Sequence, residues 1–114
     1  MKDLIPIGKM AAANRVTIAT LRLYDQMGLL KPAYTDPDSG YRYYDIKQTS
    51  RLDFIRYMRE LDLSLADIRS ILEKEDITLI EEKLIEKDNQ IHQQLRDLET
   101  MHEAVERTIL AIER

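Results

Sequence analysis

Residues 78–114 contain neither proline nor glycine, and this uninterrupted stretch constrains the chain more than anything else in it. Leu84, Ile91, Leu95, Leu98, Val105, Ile109 and Ile112 recur at spacings of three, four and seven, which keeps them on one narrow seam of a single helix. At about 1.5 Å per residue, roughly 34 helical residues extend about 50 Å, much longer than the small domain that the rest of the chain can form. A helix of that length needs a partner, and an antiparallel coiled coil with a second copy is the expectation. Two seam positions, Asp88 and His102, are polar and lie seven residues on either side of Leu95. A two-fold axis near Leu95 would set Asp88 of one copy opposite His102 of the other, turning two costly seam residues into one pair. The expected dimerisation residues are Leu84, Ile91, Leu95, Leu98, His102, Val105 and Ile109. Thr78 and Glu81 have the spacing of a capping box and are expected to open the helix.

The first 75 residues suffice for one small domain, and residues 76–114 form the dimerisation helix. Within the domain, residues 17–30 read TIATLRLYDQMGLL, a short helix that begins on the Thr17 hydroxyl and stops at Gly28, a residue that tolerates left-handed geometry. IGKMAAA, at residues 7–13, reads as a preceding helix, and only NRVT separates the two. Two short helices so tightly joined form a helix-turn-helix, whose second member has the size to enter a DNA major groove. Residues 3–6 read as an extended lead-in, because Pro6 pushes its predecessor out of helical geometry.

After the second helix, LKPAYTDPDSGYRYY carries a turn cluster with aromatic residues on either side and predicts a β-hairpin wing. Strand alternation sends Arg42 and Tyr44 to one face and Tyr41 and Tyr43 to the other, so one face can pack while the other meets a ligand. Asp45 and Gln48 then predict a capped third helix with Leu52, Ile55, Met58 and Leu61 on its apolar side, and Ser64 opens a fourth with Leu65, Ile68, Ile71 and Leu72 buried.

The net charge of −4 divides unevenly. Residues 1–72 hold 11 Lys and Arg against 9 Asp and Glu, and residues 73–114 hold 6 against 12. The acidic half points to a second task and does not argue against DNA at the basic one. The chain has no cysteine, which excludes disulfides and thiolate metal sites within it and fits a reducing cytoplasm. No apolar run approaches the roughly 20 residues of a membrane span. His92 and His102 have no His or Cys partner at ligand spacing, so no metal or other cofactor is expected. A Gly-rich phosphate loop and a nucleophile–base pairing are both missing, so enzymatic chemistry has no support.

LIPIGKMAAANRVTIATLRLYDQMGLLKP, then SGYRYY, then LDFIRYMRELDLSLADIRSIL together resemble the DNA-binding domain of MerR-type bacterial transcription regulators. The multidrug-responsive members are the nearest by pattern, since the sensor cysteines of metal and redox members are absent. The resemblance implies a mainly α winged helix-turn-helix followed by a long coiled-coil helix. It also implies that Arg22 and Tyr24 of the reading helix, Arg42 of the wing with Tyr41 beside it, and Arg59 of the third helix approach DNA. Arginine can grip phosphate bidentately or pair with a guanine edge, and Thr17 can offer its hydroxyl to a phosphate at the helix start. For Tyr24 and Tyr43, packing and DNA contact stay open as alternatives.

Arg15 and Asp62 stand where the family usually has glycine, Ala19 where it often has a basic residue and Leu23 where it often has an aromatic one, so base preference is not carried over from relatives. By resemblance, such a protein is a dimer that binds double-stranded promoter DNA, distorts it, and activates transcription by bacterial RNA polymerase. Drug-sensing relatives carry a ligand domain after the long helix. The chain is therefore expected to be either an isolated DNA-binding module or a fragment of a longer regulator, and to activate without inducer in this form. A helical protein–protein adaptor without DNA binding is the rival reading.

Overall fold

The computed structural model describes residues 4–114, so Asp3, the first residue of the expected lead-in, lies outside them. The chain divides into two compact units after Glu75. In the first, strand β1 (Leu4–Pro6) runs into helix α1 (Ile7–Asn14), followed by α2 (Ile18–Met27), the short strand β2 (Tyr34–Thr35), β3 (Arg42–Asp45), α3 (Thr49–Glu60) and α4 (Leu65–Lys74).

The expected caps close the helices. Thr17 stays extended and its Oγ1 accepts the Thr20 N–H at 3.0 Å, while Gly28 ends α2 at φ 75°. Asp45 and Gln48 form the reciprocal capping box, although the first turn they close, Ile46–Gln48, is a 3-10 helix that leads into α3. The Ser64 Oγ accepts the Asp67 N–H at 3.1 Å and opens α4.

The wing is a three-stranded antiparallel sheet in the order β1-β3-β2. β3 has two edges to satisfy. The lead-in supplies the strand on its second edge, with Leu4 paired to Asp45 and Ile5 to Tyr44. Pro6 is tolerated at the end of this outer strand because it forfeits no interior hydrogen bond. Between β2 and β3 the Asp36 carboxylate accepts the Asp38 N–H at 2.8 Å, and Gly40 takes φ 75°, which closes the turn. Met10, Leu21, Leu29, Leu30, Tyr44, Leu52, Ile55 and Ile68 fill the core. Leu61, Leu65 and Leu72 of the expected apolar sides are only partly covered.

The second unit is one helix, α5 (Ile77–Glu113), of 37 residues. Its cap corrects the sequence expectation: Asp76 remains extended and its Oδ1 accepts the Thr78 N–H at 2.9 Å, so Thr78 is already inside the helix. An aspartate there also places negative charge at the positive end of the helix dipole. No helix among the described residues is long and apolar enough to cross a membrane.

Candidate nucleic-acid interface

Helix α2 is held by one buried side chain of its own, Leu21, and by Leu29 and Leu30 just past its end, all fully buried. That single anchor leaves Ile18, Ala19, Arg22, Leu23 and Gln26 exposed on the opposite side. Arg22 has no hydrogen bond or ion pair among the described residues and is free to reach a ligand. Thr17 lies at the start of the same helix, its hydroxyl 2.8 Å from that of Thr20. Tyr24 is half-buried, and its carbonyl accepts the Leu29 N–H at 2.8 Å in the turn that ends the helix.

The wing comes back to this helix through one ion pair. Arg42 Nε donates to Asp25 Oδ2 at 2.8 Å, which joins β3 to α2 across 17 residues of chain. Tyr44, on the same face of β3, is fully buried, whereas Tyr41 and Tyr43 lie on the other face with ring centroids 5.4 Å apart. Tyr34 extends that group, 6.0 Å from Tyr43. The Tyr44 hydroxyl is buried and has no hydrogen-bond partner among the described residues. Burial raises its pKa, the Asp25 carboxylate adds to the rise, and the Arg42 guanidinium opposes it.

The three arginines of α3 each reach a backbone carbonyl. Arg51 Nε donates to the Leu29 carbonyl at 2.7 Å, and an Arg56 amine donates to the Asn14 carbonyl at the end of α1. Arg56 thereby brings positive charge to a carbonyl left over at the C-terminus of α1, where it is favourable, while Arg51 ties α3 to the turn that follows α2. Arg59 is exposed, and its amine also donates to the Leu63 carbonyl at 2.8 Å. Arg22, Arg42 and Thr17 thus gather on or against α2, while Arg59 lies at the far end of α3. Sequence reading missed Asp25 as the residue that joins helix to wing, because no local spacing relates it to Arg42.

On α5, Ile91, Leu95, Leu98, Val105 and Ile109 are each between 44% and 59% exposed, so the expected seam is uncovered in the single chain. Leu84 is partly covered, and Met101 and Leu110, each 61% exposed, widen the apolar stripe beyond the positions read from the sequence. Here Asp88 faces His92 at 3.6 Å, and His102 faces Glu106 at 3.2 Å, one helical turn on in each case.

Comparison with known proteins agrees with this arrangement. Residues 5–75 match the family described as MerR HTH family regulatory protein, and residues 49–108 match the one described as MerR, DNA binding. The multidrug-efflux transporter 1 regulator of Bacillus subtilis is 34% identical over 101 residues, which cover 87% of this chain and 35% of that protein. The chain therefore spans about a third of that relative's length. The cryo-EM structure of an EcmrR–DNA complex in EcmrR-RPo superposes with a TM-score of 0.78 at 32% identity, over 90% of this chain and 38% of the other. The crystal structure of MtaN, the N-terminus of the Bacillus subtilis multidrug transporter activator, gives 0.76 at 26% identity, over 93% of this chain and 98% of the other. With the helix-turn-helix, the wing and the long helix in the expected order, this chain belongs to the MerR family of transcription regulators and carries its DNA-binding domain.

Proposed function

We propose that the chain works as a homodimer that binds promoter DNA through two copies of α2 and the wing, distorts the DNA between them, and activates transcription with bacterial RNA polymerase in the cytoplasm. Thr17, Arg22, Tyr24, Tyr41, Arg42 and Arg59 are the DNA contacts in this reading. The observation that carries it is the exposed face of α2 with Arg22, which has no partner among the described residues, next to a wing fixed on the same helix. The DNA complex reported for EcmrR supports it.

The long helix supports the dimer. Leu95 is the middle residue of α5, which runs from Ile77 to Glu113, so a two-fold axis there pairs the helix over its full length. Ile77, Ile80, Leu84 and Ile85 line a shallow apolar groove near one end. The same axis sets Val105 and Leu110 of the partner copy against Ile85 and Ile80. Asp88 and His102 then exchange their partners along the helix for each other across the seam.

A dimer of this kind holds two reading helices at a fixed separation and grips the flanking backbone with its wings. Bending a site of 20 to 30 base pairs costs roughly 1 to 6 kcal/mol, a sum that several phosphate contacts can offset. The test uses this 114-residue chain with no small molecule added. Energy transfer between end-labelled DNA termini reports bending, and transcription is compared on the native promoter and on one whose spacer is shortened to the usual length. Bent DNA and activation confined to the native promoter are the expected results. Straight DNA in the complex, or equal activation of both promoters, overturns the distortion, and tight capture of a protein with no DNA affinity would make the chain an adaptor.

A further inference from the structure

A carboxylate sits where a surface meant for a polyanion would be better without one. Asp25 lies on α2, one turn beyond Arg22 and therefore on the same side of the helix. Its Oδ2 accepts from Arg42 Nε at 2.8 Å, and its Oδ1 is 3.5 Å from Lys31 Nζ in the segment that leaves α2. The carboxylate is largely covered, at 17% exposure, whereas Arg42 keeps 26% and Lys31 70%. Only Nε of the Arg42 guanidinium is engaged among the described residues, so both terminal amino groups remain open to a further acceptor.

Taken by charge alone, Asp25 repels phosphate and weakens any complex with DNA. Taken by geometry, it anchors two flexible cations from different parts of the chain to the rigid reading helix, which removes the entropy they would otherwise lose on binding. We propose that Asp25 is a positioning residue that holds Arg42 and Lys31 as a two-cation cradle for neighbouring phosphates of the DNA backbone at the junction of α2 and the wing. This rests on the DNA-binding reading above and adds Lys31 and Asp25 to it. An arginine held at Nε presents its terminal amines as a fork, which suits two phosphate oxygens, while the lysine supplies a point charge beside it.

The experiment is equilibrium DNA binding by the full chain, followed by fluorescence anisotropy over a series of salt concentrations. The wild type is compared with Asp25→Asn, Asp25→Ala, Arg42→Ala and Lys31→Ala. Each cation withdrawn from a phosphate flattens the plot of log affinity against log salt by about 0.9. Arg42→Ala and Lys31→Ala are expected to flatten it. Asp25→Ala is expected to do so as well, although it removes no cation. Asp25→Asn keeps an oxygen that accepts from Arg42 Nε but turns an amide NH2 toward Lys31, and is expected to flatten the slope less than Asp25→Ala does.

An Asp25→Ala protein that binds more tightly with a slope at least as steep would overturn the cradle, since Asp25 would then be a repulsive charge and no more. A thermal melt accompanies each variant. Should Asp25→Ala fail to fold, Lys31→Ala decides the matter, because Lys31 is too exposed to matter for folding and an unchanged slope there also overturns the cradle. Loss of salt-dependent DNA binding in the wild type itself would overturn the DNA-binding reading and the cradle together.

Discussion

Arg15 and Asp62 adopt the same left-handed backbone, at φ 55° and 64°, and each sits at the turn that follows a helix of the DNA-binding unit. Arg15 ends α1 and its N–H reaches the Ala12 carbonyl at 3.4 Å; Asp62 follows α3 and its N–H reaches the Arg59 carbonyl at 2.9 Å. At both positions the chain departs from a glycine that is usual in the family, and the geometry supplies the reason for that usage: a side chain at positive φ crowds the following carbonyl, and glycine has none.

Arg15→Gly is therefore expected to stabilise the chain by about 1 kcal/mol, the relief of left-handed strain less the added freedom of the unfolded chain. Asp62→Gly should gain less, since aspartate tolerates this conformation better than arginine does. Denaturant titration of both variants measures the difference. A loss of stability at Arg15→Gly would show that its side chain contributes more than its backbone costs.

Tyr44 makes a prediction about alkaline pH. Its hydroxyl titrates higher in the folded chain than its ordinary value near 10, so the folded state holds the proton more tightly than the unfolded state does. The resulting stability is fully present below about pH 10 and is lost as pH rises from there through the folded-state value. Tyr44→Phe removes this loss along with a hydroxyl that has no partner among the described residues. The variant should match or exceed the wild type near neutral pH and melt higher than it above about pH 10, as circular dichroism melts at the two pH values would show.

The arginines should separate into two kinds of phenotype. Arg56→Ala leaves the Asn14 carbonyl without its charged donor and should cost about 1.5 to 3 kcal/mol of stability while leaving the salt dependence of DNA binding intact. Arg22→Ala should do the reverse: stability within about 0.5 kcal/mol of wild type, and a salt slope flattened by about 0.9 for each phosphate that is no longer neutralised. In the proposed dimer, Arg22, Arg42 and Arg59 from two copies, with Lys31 beside Arg42, neutralise on the order of 6 to 8 phosphates, and the Thr17 hydroxyl adds a hydrogen bond without a charge. An unchanged slope in Arg22→Ala removes that residue from the phosphate-binding set.

Dimerisation should depend on the middle of α5. A buried leucine contributes roughly 1.5 to 3 kcal/mol, and Leu95 and Leu98 lie at or beside the proposed two-fold axis, so each is buried by both copies at once. Sedimentation of Leu95→Ala/Leu98→Ala at micromolar concentration is expected to give a monomer, and Asp88→Ala/His102→Ala a dimer. A monomeric wild type would defeat the coiled-coil reading, and cross-linking that joins Asp88 to Asp88 would defeat the antiparallel register.

What the sequence determined by itself is whatever depends on neighbours three or four residues apart. Thr17, Asp45 and Ser64 were legible as caps because a cap and the N–H it accepts lie within one turn, and the stripe of α5 was legible because helical periodicity is a local property. At Asp76 and Thr78 even local rules were insufficient: two capping residues stand two apart, and the backbone stays extended at the first. Tertiary structure alone decided the pairings that chain separation hides. β1 finds β3 about 40 residues away in sequence, Asp25 finds Arg42 across 17, and Arg56 finds the end of α1 across 42. An arginine reads the same in sequence whether it will grip a phosphate or a helix carbonyl, since its charge and reach are identical in both. The folded chain decides which acceptors each arginine finds within the protein, the Leu29 carbonyl for Arg51 and the Asn14 carbonyl for Arg56, because only packing brings those distant groups within hydrogen-bonding distance.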